Sequence, residues 1–294
     1  LSQPTNLVIA PGNNHVYVAS PGSNSIILFS RNSFTGRLLQ IKTYTDNENG
    51  IDGLSQVHDL AISPDGHHIY ATGEADDSVA VFSRDTNSGL LTFIENHRDD
   101  ILGVHGLDGA SGILVSPDGK NVYAAGTHDD QIVIFNRHAY LGTLTFKESI
   151  TDGVAGVDGL DGSRGLSMSA DNRFLYSTGV VDDAVVVFSR DTSTGGLSYV
   201  EMKKDGSGGI TSLNGANDLL VSPDGQYLYV TAPDDDAVTV FNISTSTGAL
   251  TFVEAQVDGV LGVDGLDGAF GIVASPDNLH VYVVGLNDNA ISTF

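Results

Sequence analysis

Cysteine is absent from the 294 residues. That excludes disulfides and thiolate zinc sites and leaves the redox compartment undecided. Basic residues are scarce: 13 Lys and Arg stand against 37 Asp and Glu, a formal net charge of −24. A surface of that sign repels nucleic-acid phosphates and anionic membrane and attracts cations, so nucleic acid is not an expected partner. The same acidity serves salt-adapted proteins as a solvation device. Proline is low at 8 beside 35 glycines, a balance that is neither collagen-like nor disordered. No run of eighteen apolar residues occurs, so no membrane insertion is expected. No segment carries a 3.6-residue apolar period long enough for a helix. Neither an initiator Met nor a basic, apolar leader stands at Leu1, so the chain reads as a mature or excised segment. The G-x-S-x-G elbow, the P-loop, H-E-x-x-H, the EF-hand string and the RTX nonapeptide are all missing, and the nine His show no metal spacing.

What is present is a strict internal repeat. Ser63-Pro64-Asp65-Gly66 recurs at Ser116 to Gly119 and at Ser222 to Gly225, with weaker copies at Ala10, Ser169 and Ser275, every step being 53 residues. Tyr17, Tyr70, Tyr123, Tyr176, Tyr229 and Tyr282 hold one phase, and Phe29, Phe82, Phe135, Phe188, Phe241 and Phe294 another. Each unit reads as four short strands, a to d, separated by turn residues. In the second unit these are Leu60 to Ser63, His68 to Thr72, Ser78 to Phe82 and Leu90 to Ile94. Strand c is nearly all apolar, as in Val185-Val186-Val187-Phe188, and is therefore buried on both faces. Four-stranded blades packed face to face do this. The expected fold is all-β, a β-propeller of six 53-residue repeats forming one domain over residues 1–294, with blades starting near 7, 60, 113, 166, 219 and 272. Gly36, Gly89, Gly142, Gly195 and Gly248 fall in the c–d turns and are expected at positive φ. The sixth unit stops at Phe294, the end of strand c. The last blade is expected to be incomplete, and neighbouring repeats or a partner strand would cover its edge.

The pattern Ser-Pro-Asp-Gly, Tyr-Val, Asp-Asp-x-Val-x-Val-Phe, Thr-Gly-x-Leu-Thr-Phe, clearest from Ser222 to Phe252, resembles the lactonase-type propellers, relatives of 6-phosphogluconolactonase and of the YVTN-repeat surface proteins. The resemblance spans the chain and rests on turn and blade-core residues. It implies a propeller and, in the enzyme branch, seven diverged blades and lactone hydrolysis. Here the blades remain close copies, and the loop Gly262 to Ala269 is similar to those of secreted bacterial repeat proteins.

Alternating strand direction puts the b–c turns and the d–a loops on one face. That face collects Asp76-Asp77, Asp129-Asp130, Asp182-Asp183, Asp234 to Asp236 and Asp288 from the turns, and Asp108, Asp158, Asp161, Asp264 and Asp267 from the loops. Two readings stand. Carboxylates in tight turns bond their own backbone. The loop set also suits Ca²⁺, which takes several oxygen ligands at roughly 2.3–2.6 Å. A second candidate comes from departures from the repeat: Thr5, His58, Ser111, Arg164, Asn217 and Phe270, each just before strand a. They are expected at the mouth of a central channel, where a small polar ligand or a sugar would bind, or they are loop positions that drift. A lactonase needs a water-activating group and an electrophilic partner, for which His58 and Arg164 are the only pair to nominate. His67 and His68 are expected to be solvated.

Near-identical blades, acidity and missing catalytic motifs point first to a non-catalytic binding or scaffold module of a secreted or surface bacterial protein, cation-associated, with a glycan, protein or small-molecule partner. The alternative is a lactone hydrolase acting at the channel mouth. An extracellular, cell-surface or periplasmic location is expected.

Overall fold

The repeated turn shows why each blade forms. Ser63 Oγ donates to Asp65 Oδ1 (2.5 Å) and accepts from the His68 N–H (3.0 Å), while Gly66 takes φ +71°. The chain therefore reverses between strands a and b with its polar groups satisfied locally. Ser116, Ser169, Ser222 and Ser275 make the same bond to the Asp two residues on.

The computed structural model describes all 294 residues and is all-β: six antiparallel sheets of propeller-blade type and two single 3-10 turns, Pro21–Ser23 and Glu74–Asp76. Two compact units divide the chain, Leu1–Ser149 and Ile150–Phe294. The first holds three sheets: β1 (Leu7–Ile9), β2 (His15–Ser20), β3 (Ser25–Arg31) and β4 (Leu38–Thr45); then β5 (Val57–Ile62), β6 (His68–Gly73), β7 (Ser78–Arg84) and β8 (Leu91–Arg98); then β9 (Ala110–Val115), β10 (Asn121–Gly126), β11 (Gln131–Arg137) and β12 (Leu144–Thr151), whose end runs into the second unit. The second holds β13 (Ser163–Met168), β14 (Phe174–Gly179), β15 (Ala184–Arg190) and β16 (Leu197–Lys204); β17 (Leu219–Val221), β18 (Tyr227–Ala232), β19 (Ala237–Ile243) and β20 (Leu250–Val257); and a three-stranded sheet of β21 (Ala269–Ala274), β22 (Val281–Gly285) and β23 (Ala290–Thr293). Neighbours pair in chain order, so each sheet is a meander.

Burial follows the repeat. Val79, Ala80, Val81 and Phe82 of β7 and Val185 to Phe188 of β15 have no exposed surface. The first unit packs its core around Ile69, Ala71 and Phe82 and around Val122, Val133 and Phe135; the second around Tyr176, Leu228 and Phe241.

Successive blades are fastened by one polar device. Tyr70 Oη donates to the Gly142 carbonyl (2.9 Å), and Arg137 Nε donates to Tyr70 Oη (2.7 Å). Arg137 also reaches His68 Nδ1 (2.9 Å) and the Gly119 carbonyl (2.9 Å). Tyr17, Gly89, Arg84 and His15 repeat the arrangement one blade earlier. The c–d glycines at 36, 89, 142, 195 and 248 all have φ between 72° and 77°. At Gly89 a side chain would in addition meet His15 Cδ2 at 2.5 Å. His68 thus departs from its expectation. It is buried in β6, because the Arg137 side chain from the next blade closes over it, while His67 is exposed.

Candidate functional site

Four of the six inner strands start with a β-bulge. The register shifts between Val57 and Leu60 in β5, between Ser163 and Leu166 in β13, and between Ala269 and Ile272 in β21; β9 shifts where Ala124 to Gly126 of β10 pass it. The residues inside these bulges are His58-Asp59, Arg164-Gly165, Phe270-Gly271 and Ser111-Gly112. A bulge re-aims side chains and loosens pairing, and bulges are over-represented beside active sites. The repeat-breaking positions therefore sit where backbone geometry frees a side chain from the blade pattern.

In the second unit three of the predicted residues come together. The Arg164 guanidinium lies over the Phe270 ring, 5.4 Å from its centroid. Asn217 Nδ2 donates to the Phe270 carbonyl (3.2 Å), which also accepts from Thr231 Oγ1 (2.7 Å). Arg164 and Phe270 are half-buried and Asn217 is buried. In the first unit Thr5 Oγ1 donates to the His58 carbonyl (2.7 Å), Thr72 Oγ1 donates to the Ser111 carbonyl (2.6 Å) and Thr127 Oγ1 to Ser111 Oγ (2.7 Å). His58 and Arg164 belong to different units.

One further group of this cluster lies a single position beyond the predicted set. The position after the predicted set reads Asn6, Asp59, Gly112, Gly165, Asp218 and Gly271. Its two aspartates break the repeat as clearly as Arg164 does. Asp218 Oδ1 accepts the Leu219 N–H (2.8 Å) and Oδ2 the Ile272 N–H (3.2 Å); its own N–H donates to Thr231 Oγ1 (3.1 Å). Burial pushes the Asp218 carboxyl up to about 6, and the two N–H bonds and the Arg164 charge hold it from going further. Gly165 permits the approach of the strands: a Cβ there would stand 2.9 Å from the Asn217 carbonyl oxygen and 3.2 Å from Asp218 Cα. A carboxyl raised to about 6 by burial, with a guanidinium and an aromatic face in the same unit, is a set of groups able to serve as base, oxyanion partner and ring platform.

The acidic face is mostly a fastening device. Asp76, Asp129, Asp182, Asp235 and Asp288 each accept a backbone N–H of the preceding loop, at Ser55, Asp108, Asp161, Asn214 and Asp267 (2.8–3.0 Å). Asp77, Asp183 and Asp236, all at positive φ, accept from Gly109, Gly215 and Gly268. Of the predicted cation ligands, Asp158 and Asp264 fall in carboxylate triads, Asp152-Asp158-Asp182 and Asp258-Asp264-Asp288, and a third triad is Asp46-Asp52-Asp76. Asp108, Asp161 and Asp267 lie outside them: Asp108 pairs with His128 Nδ1 (3.0 Å) and Asp267 accepts from Asn287 (2.7 Å). Two triads already hold an internal cation. Arg98 reaches Asp52 (2.6 Å) and Asp76 (3.3 Å), and Lys204 reaches Asp182 (2.9 Å). The Asp258-Asp264-Asp288 set has no such ion pair and is the one whose oxygens could hold a hard cation.

The profile of the family described as Lactonase, 7-bladed beta-propeller, matches residues 2–101, 98–207 and 153–260. A protein of Pectobacterium carotovorum named 6-phosphogluconolactonase is 23% identical over 93% of this chain and 91% of its own length. One of that name from Klebsiella pneumoniae (strain 342) is 23% identical over 80% of this chain and 79% of its own. Among solved structures, the periplasmic gluconolactonase of Pseudomonas aeruginosa superposes with a TM-score of 0.78 at 23% identity, covering 100% of this chain and 81% of that one. Hydrazine synthase of Kuenenia stuttgartiensis also superposes, with a TM-score of 0.71 at 20% identity over 100% of this chain and 76% of that one. Likeness at that identity speaks to fold alone, and one fold carries unrelated chemistry. The expectation of a non-catalytic binding or scaffold module is overturned by the sequence relatives, which carry the name of an enzyme and are matched over 80% to 91% of their own length. The reasoning behind it failed because near-identity of the blades is a property of turns and core, while the departures sit in the bulges. No helix is long and apolar enough to cross a membrane.

Proposed function

The chain belongs to the lactonase family of seven-bladed β-propellers, and from that premise we propose that it hydrolyses a sugar lactone at the bulge residues of its second unit. The observation that carries this reading is the Arg164 guanidinium over the Phe270 ring, with the Asp218 carboxylate accepting the N–H of Ile272, two residues beyond Phe270. The Phe270 ring offers a face for the apolar side of a sugar ring. The Asp218 carboxylate takes a proton from water as the water oxygen bonds to the lactone carbonyl carbon. Arg164 stabilises the oxyanion that forms. The carbonyl then re-forms, the ring C–O bond breaks, and Asp218 returns its proton to the departing ring oxygen. The product is the open hydroxy acid, which ionises into solvent.

The net charge of −24 favours an unphosphorylated lactone over a phosphorylated one, since Arg164 is the one cation among the bulge residues. The name of the periplasmic relative and the acidity support a location outside the cytoplasm. The test is turnover of a lactone panel by the wild-type chain and by Arg164→Ala and Asp218→Asn. Wild-type turnover lost in both variants is expected. Wild-type rates no faster than spontaneous hydrolysis would sink the reading.

A further inference from the structure

The c–d turns share one backbone geometry and differ in the surface they present. In the second and fourth sheets they read Asp85-Thr86-Asn87-Ser88-Gly89 and Asp191-Thr192-Ser193-Thr194-Gly195. The leading carboxylate caps its own turn. Asp85 Oδ1 accepts the N–H of Asn87 (3.1 Å) and of Ser88 (2.7 Å), and Asp191 Oδ1 those of Ser193 (2.8 Å) and Thr194 (3.3 Å). In the third sheet the turn is His138-Ala139-Tyr140-Leu141-Gly142. His138 Nδ1 keeps the cap by accepting the Leu141 N–H (3.1 Å), and Gly142 keeps φ +74°. The turn is therefore the same, and Tyr140 and Leu141 are not needed to form it. They stand 85% and 51% exposed. Folding gains nothing from large apolar side chains left in water, and where they gather they mark a contact site.

Tyr140 and Leu141 line a cavity of 680 Å³ within the first unit, together with Asp65 and His67 of an a–b turn, Ile94 of β8 and Thr143. Small-molecule sites run from roughly 300 to 1,000 Å³. Asp65 Oδ1 is committed to the Ser63 hydroxyl (2.5 Å) and the His67 N–H (3.0 Å), while Oδ2 accepts from Arg137 Nη2 (3.2 Å) and keeps a lone pair for a further donor. Burial pushes the Asp65 carboxyl up, but the Ser63 hydroxyl, the His67 N–H and the Arg137 charge together hold it down at about 2, so it is an acceptor at any ordinary pH. The exposed His67 ring and the hydroxyls of Tyr140 and Thr143 add donors and acceptors.

This lining separates three classes of ligand. An anion meets an ionised carboxylate and a net charge of −24. A hard cation wants several carboxylate or carbonyl oxygens, and the one carboxylate in the lining is already paired with Arg137. A neutral polyhydroxylated ring suits both halves of the cavity. Its C–H face packs on an aromatic and an aliphatic side chain, and its hydroxyls bond the convergent polar groups. We propose that this cavity is a saccharide-binding site that holds a neutral pyranose with its C–H face on the Tyr140 ring and a hydroxyl donating to Asp65 Oδ2. The inference does not rest on the proposed hydrolysis, because none of the bulge residues lines the cavity.

The probes are the methyl glycosides of glucose, galactose, mannose and N-acetylglucosamine, each at about 20 mM to suit millimolar affinity, added to the intact chain and followed by saturation-transfer NMR. None carries a lactone, so failure of this site and failure of the hydrolase reading are distinct results. Transfer to at least one glycoside is expected, strongest at the ring C–H protons of one face. Tyr140→Ala should lower it at least fivefold, and Tyr140→Phe should keep it. The side chain is exposed, so both variants should melt with the wild type. Absence of transfer to all four glycosides, or an undiminished signal in Tyr140→Ala, overturns the proposal. So does an equal loss in Phe34→Ala, the aromatic at the same turn position in the first sheet, 97% exposed and outside this cavity, because the sugar would then stack on any exposed ring.

Discussion

The hydroxyl of Tyr70 and the carbonyl of Gly142 meet at 2.9 Å across 72 residues of sequence, and Arg137 closes on the same hydroxyl at 2.7 Å. Burial pushes the Tyr70 hydroxyl up to about 12, so it stays a donor at any ordinary pH. Tyr70→Phe leaves one carbonyl and one guanidinium N–H without a buried partner. A loss of about 1–3 kcal/mol in unfolding free energy is expected. It is read from urea unfolding as a lower midpoint at constant m. An unchanged midpoint would mean that the blades are held by apolar packing alone.

His68 in the same network supplies a pH dependence. Burial first, and then the Arg137 charge, lowers its pKa below the ordinary 6.5. The folded state therefore binds fewer protons than the unfolded one. Stability is full above about pH 6.5 and falls as the pH drops below it, levelling off once the folded-state pKa is passed. His68→Asn, which borrows the residue found at Asn121 in the next blade, should flatten the decline between about pH 6.5 and 5. Thermal melts of both proteins across that range decide the matter; parallel curves contradict the assignment.

The two polar systems differ in how legible they were. The 53-residue phase exposed Tyr70, Phe82 and the positive-φ glycines directly, because the same backbone demand recurs in every blade. His68 was misread because its neighbour Asp65-Gly66 is a solvated turn and its cover, Arg137, lies 69 residues away in another repeat. Strand a runs from Val57 rather than Leu60, since a bulge carries the pairing across His58 and Asp59, which have no strand-like pattern. Arg164 and Phe270 were legible as departures from the repeat. Asp218 was equally so, one position further on, but its raised pKa comes from burial, which only the fold supplies.

Substrate charge separates two lactones. With a net charge of −24, approach of a phosphorylated lactone is repelled at low salt and eased as the field is screened. kcat/KM for gluconolactone 6-phosphate should rise with ionic strength, while that for gluconolactone stays flat. A fall for the phosphorylated substrate would reveal a cationic site that the bulge residues do not contain.

His58 lies in the first unit, apart from the proposed base in sequence and in unit. His58→Ala should retain kcat/KM within an order of magnitude, with the pH profile unmoved. Loss of activity comparable to that of Asp218→Asn would transfer the base to His58.

The most direct measurement is the pH dependence of kcat/KM for gluconolactone hydrolysis by the wild-type chain, corrected for spontaneous hydrolysis, beside Asp218→Asn. The account predicts a rate that rises as the pH passes about 6, where the Asp218 carboxylate forms. In Asp218→Asn the rate should fall by about 10²- to 10⁴-fold, with a modestly lower melting temperature, because Asn keeps one acceptor but turns its amide NH2 toward the second of the Leu219 and Ile272 N–H groups. A wild-type chain that never exceeds the spontaneous rate, or a variant that matches it with the same inflection, contradicts the assignment of Asp218 as the base of a lactone hydrolase.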